Sequence, residues 1–191
     1  VMDAVTIGDE RGETKNINML NRDGVPLYAR DRKDLNQMVF AGGVCTFNPE
    51  PLADFIDFFS LGEGEESTVE IVSLYDRAKA EGWSKETFLQ EVSKIPGVYV
   101  PSFYEHKYNP DGTLAEIVPL HGAPRTVPKR IVEDLAKAYY PTKLIVASPD
   151  ILHDPPHLDL IRAFVRAFPF LQACFSFLPV RTHPPRVSFR H

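Results

Sequence analysis

The chain has 191 residues, of which 43% are hydrophobic, so it can bury a core of its own; general disorder is excluded and one domain, or one plus a fragment, is expected. A formal net charge of -5, with no Lys/Arg cluster, gives no field that would attract nucleic acid. Two cysteines, Cys45 and Cys174, stand far apart without CxxC spacing, which excludes a disulfide framework and a zinc site and points to a reducing cytoplasm.

In chain order, Asp3 to Gly8 reads as a strand already in progress, so an earlier strand and helix are expected upstream. Glu13 to Arg22 forms a short helix with Ile17 and Leu20 inward and Gly24 as its stop. Val25 to Ala29 reads as an edge strand that tolerates Pro26 only at its beginning, and Arg30 to Asn36 as a charged surface loop.

The centre of the pattern is Val39 to Glu66, two strand-then-glycine units placed back to back. Met38-Val39-Phe40-Ala41 is short, apolar and bounded by Gly42-Gly43, the mark of a strand buried on both faces of a parallel sheet. Asn48-Pro49-Glu50-Pro51 opens a short helix carrying Leu52 and Phe55 inward, and the strand Ile56 to Leu61 delivers Gly62-Glu63-Gly64-Glu65. Glycines at the carboxyl ends of parallel strands let the backbone turn sharply and approach a ligand, and helix amino termini there attract anions. Gly42, Gly43, Gly62, Glu63, Gly64 and Glu65 are therefore the candidate cofactor-binding edge. Carboxylates in a first helical turn also complement the helix dipole, so capping and ligand contact both stand open for Glu63 and Glu65.

From Glu65 the spacing of Val69, Ile71, Val72, Leu74, Tyr75 and Ala78 predicts a helix that Gly82 ends. A second helix runs from a Ser84 cap to about Lys94 with Phe88, Leu89 and Val92 on one face, and Trp83 packs between the two. Pro96 to Pro101 reads as a strand leaving the domain. A hairpin follows, Tyr104 to Tyr108 and Leu114 to Val118 around an Asn109-Pro110-Asp111-Gly112 turn. Val127 to Leu135 and Leu144 to Ala147 are further extended segments. The apolar tract Ala163 to Val180 is broken by Arg166, Pro169, Gln172 and Pro179, which excludes a spanning helix of ~20 apolar residues, so no membrane partner is expected.

AGGVCTFNPEPLADFIDFFSLGEGEE resembles the cobalamin-binding-type domain that precedes the catalytic barrel in B12-binding-domain radical SAM proteins. The resemblance continues through Ile95 to Pro101, Lys129 to Val132, Asp134-Leu135 and Ala138 to Thr142. It implies an α/β fold with a partial doubly wound, flavodoxin- or cobalamin-binding-like parallel sheet over residues 1–95. A small β-rich adapter over 96–149 and a remnant of a radical SAM barrel over 150–191 would follow. It also implies that the partner is the remainder of a radical SAM protein. The family's cofactors are a 4Fe-4S cluster and S-adenosylmethionine, with cobalamin as a further one. The Asp-x-His-x-x-Gly signature that would offer cobalamin an axial histidine does not occur in the chain.

In that family a cysteine-bearing loop holds three irons of the cluster and leaves the fourth for S-adenosylmethionine. The matching stretch is Arg162 to Cys174, where Arg162, Arg166, Phe170, Gln172 and Ala173 fit the pattern. The three cysteine positions hold Phe164, Phe168 and Leu171. Neither benzyl nor isobutyl groups ligate iron, and Cys174 alone supplies one thiolate, so the chain is expected to lack its own cluster. The alternative is a non-catalytic binding module for a corrinoid, a nucleotide or a protein partner. His153 and His157 stand four apart, but Pro155 and Pro156 forbid the helix that would align them on a metal; His106, His121, His183 and His191 read as solvated surface.

Overall fold

The computed structural model describes Leu20, residues 24–134, Ala138 and the strand residues 161–162 and 181–182. The expectations for residues 3–8, for the helix around Leu20, for 144–147, for His153, His157, His183 and His191, and for Phe164, Phe168, Leu171 and Cys174 lie outside the described residues. Two compact units divide the chain, residues 1–131 and 132–191.

The first unit is mixed α/β, built on a three-stranded sheet. Strands β1 (Phe40–Gly42) and β2 (Phe58–Ser60) run parallel, with Phe40 opposite Phe58 and Gly42 opposite Ser60. The third strand, β3 (Val98–Tyr99), lies antiparallel on β2 with Phe59 opposite Tyr99. The expected parallel pair is present, and the 96–101 strand reverses direction beside it.

Strict alternation along these strands sorts the apolar side chains between two faces. Phe40, Phe58 and Val98 point to one cluster, where the Phe40 and Phe58 rings stack at 5.1 Å; Val39, Ala41, Phe59 and Tyr99 point to another with Ile56 and Leu20. Both faces are covered, which is why the strands read as unbroken apolar runs rather than as alternating ones.

The first face is covered by helices α1 (Gly64–Glu81) and α2 (Lys85–Val92). Ile71, Tyr75 and Ala78 of α1 recur every three to four residues and are buried with Phe88, Leu89 and Val92 of α2. Val69 and Val72, expected in the same stripe, are 60% and 43% exposed: Val69 precedes Ile71 by two residues and falls on the far side of the helix. Gly82 closes α1 in the left-handed conformation at φ 66, and the Ser84 hydroxyl caps α2 by accepting from the Thr87 amide at 3.1 Å. Trp83 bridges the two helices as expected, half-buried against this cluster, with its indole N–H donated to Glu81.

Beyond the sheet, β4 (Tyr104–Tyr108) and β5 (Leu114–Pro119) form the expected hairpin, turned by Asn109 to Gly112 with Gly112 at φ 82. Three expectations are corrected. No strand forms over Val25 to Ala29, where a 3₁₀ turn begins at Ala29, because the Pro26 and Leu27 carbonyls accept from the Arg32 guanidinium instead of a neighbouring strand. The Arg30 to Asn36 loop is only partly surface, with Arg32 and Leu35 buried. The helix expected after Asn48 is a single 3₁₀ turn, Glu50–Leu52. In the second unit β6 (Ile161–Arg162) pairs antiparallel with β7 (Arg181–Thr182). Among the described residues no helix is long and apolar enough to cross a membrane.

Candidate functional site

All six residues of the expected binding edge lie at the carboxyl ends of β1 and β2. Gly42 ends β1 opposite Ser60, and Gly43, at φ 110, turns the chain into a 3₁₀ helix over Val44–Phe47. Glu63 sits in the N-cap position of α1 in an extended conformation, with no capping hydrogen bond from its side chain, and Gly64 and Glu65 begin the first turn. Ser67 ties this turn to the sheet, donating to the Glu63 carbonyl at 3.1 Å and sharing a hydrogen bond with Ser60.

Gly62 is the position where freedom at φ 102 has a visible use. A β-carbon there would stand 2.2 Å from the Arg130 carbonyl oxygen, because the backbone at Arg130 runs parallel alongside it. The Arg130 N–H donates to the Leu61 carbonyl at 2.8 Å and the Glu63 N–H donates to the Arg130 carbonyl at 3.0 Å. At Gly97, φ 91, a β-carbon would lie 2.8 Å from the Leu61 carbonyl oxygen and 3.0 Å from the Arg130 amide nitrogen. The Arg130 guanidinium reaches Glu66 and Glu70 on α1, each at 2.8 Å; the hydrogen bond to Glu66 is the first cause of its raised pKa. At Gly62, the approach the glycine permits is made by the chain itself.

A second concavity, of about 750 Å³, opens between the 29–33 loop, the 50–57 segment, the start of α2 and the base of the hairpin. Its floor is ionic. The Asp57 carboxylate, 1% exposed, accepts from Arg32 Nε at 3.0 Å and from the Val39 amide at 2.8 Å through the same oxygen. Its other oxygen is paired with Lys85 Nζ, which also donates to the Ala29 and Arg32 carbonyls. Arg32 also donates from Nη1 to the carbonyls of Pro26 and Leu27 and from Nη2 to that of Phe55. Lys85 thus joins the cluster through two carbonyl hydrogen bonds and an ion pair, and the Asp57 charge is balanced by two cations.

One wall holds Glu50 between two partners. The Tyr99 hydroxyl donates to one carboxylate oxygen, and His106 Nε2 lies 3.0 Å from the other. His106 is therefore a partner of Glu50 at the hairpin base rather than the solvated residue expected, and His121, at φ 54, rests against the Phe103 ring at 5.1 Å. Burial, and then the Glu50 hydrogen bond, push the Tyr99 phenol far above its ordinary range; burial also raises Tyr104 and Tyr75. The Asp57 cluster had one sequence signal, a lone carboxylate inside Phe55-Ile56-Asp57-Phe58-Phe59. Arg32, Lys85 and the Glu50 pairings had none.

A mixed α/β unit with a parallel pair, glycines at its carboxyl edge and helices on one face is the class that fold and site define. Within that class, the family model for the N-terminal part of radical SAM proteins matches residues 2–101. The match covers just over half of the chain, and the chain belongs to that family. No curated protein and no solved structure matches.

Gly62→Ala is expected to lower stability by at least about 1–2 kcal/mol, the cost of a left-handed non-glycine residue, with the Arg130 clash in addition; urea denaturation against wild type measures it. The raised Tyr99 pKa gives a second expectation. The folded protein holds the phenolic proton more tightly than the unfolded chain, so this contribution is complete below about pH 10 and is lost as pH rises further. Denaturation midpoints followed from about pH 8 to about pH 11 should fall, and less steeply for Tyr99→Phe, with a residual slope from Tyr75 and Tyr104. An unchanged slope in Tyr99→Phe would show that Tyr99 does not carry it.

Proposed function

We propose that this chain supplies the non-catalytic N-terminal part of a radical SAM protein and lacks a cluster of its own. In this reading the parallel pair β1–β2 belongs to a partial doubly wound, cobalamin-binding-like sheet, and the partner is the remainder of a radical SAM protein.

The observation that carries the reading is the donor set. A 4Fe-4S cluster poised for S-adenosylmethionine needs three thiolates, and the chain has two cysteines, Cys45 and Cys174, with Phe164, Phe168 and Leu171 at the three ligand positions. The residues do not fit the cluster. Among the described residues no group of three His, Cys, Asp or Glu side chains could hold a metal ion in its place. The family match supports the lineage, since it covers the N-terminal part of such proteins.

The second reading is a binding module for a corrinoid, a nucleotide or a protein partner along Gly42, Gly43 and Gly62 to Glu65. It is supported by the glycine turn at Gly43, whereas the notch at Gly62 is filled by Arg130.

Anaerobic reconstitution of the purified chain with iron and sulfide tests the first reading. Fewer than about one iron per chain is expected, against about four for a complete cluster. A stoichiometric four-iron spectrum together with reductive cleavage of S-adenosylmethionine would overturn it.

A further inference from the structure

We draw no further inference here: the strongest candidate, the apolar face of the β4–β5 hairpin on which Tyr108, Leu114 and Ile117 stand exposed, carries nothing because no feature of the described residues shows what covers it.

Discussion

A carboxylate buried at the foot of β2 constrains everything around it. Asp57 sits beside strand residues that are fully enclosed, and removing its charge from water is tolerable only with partners on both oxygens. Those partners come from the 29–33 loop and from the start of α2, so one side chain fixes the position of two distant segments relative to the sheet. Arg32 in turn gathers the carbonyls of Pro26, Leu27 and Phe55, which is why that stretch is neither a strand nor a free loop. The apolar clusters on the two faces supply most of the burial; the ionic cluster decides which segments lie where.

The carboxyl edge of the parallel pair shows a second constraint, the approach of main chain to main chain. Glycines at strand ends are commonly read as room for a ligand, and at Gly43 that use stays open. At Gly62 the same freedom admits the backbone of Arg130, and Gly97 completes the passage. At Gly62, therefore, the pattern serves the packing of main chain on main chain.

The strands, helices and hairpin were legible because each rests on local periodicity. Ile71, Tyr75 and Ala78, the Ser84 cap, the Gly82 stop and the Asn109 to Gly112 turn follow from spacing and backbone preference alone. Val69 shows the limit of that reading, since apolar residues occur on either side of a helix and only the angle to Ile71 decides. Arg32 shows a deeper limit. A cation among Arg30, Asp31 and Lys33 looks solvated, and its burial depends on a carboxylate 25 residues away. His106 was hidden for the same reason, because Glu50 reaches it across the fold. Long-range polar pairing leaves almost no local trace; the odd carboxylate in an apolar run is the exception.

The chain belongs to the family of radical SAM N-terminal parts, and in the reading proposed above Phe164, Phe168 and Leu171 stand at the positions of that family's cluster ligands. The described unit is pinned together by one buried ionic cluster. The most direct measurement is a double-mutant cycle on the folding stability of Asp57→Leu and Arg32→Met. Each single variant strands a buried charge and should cost about 3–5 kcal/mol, while the pair together should cost clearly less than the sum. Single losses below about 1 kcal/mol that add within about 0.5 kcal/mol would show that Asp57 and Arg32 do not act on one another, and would contradict the central place given to them.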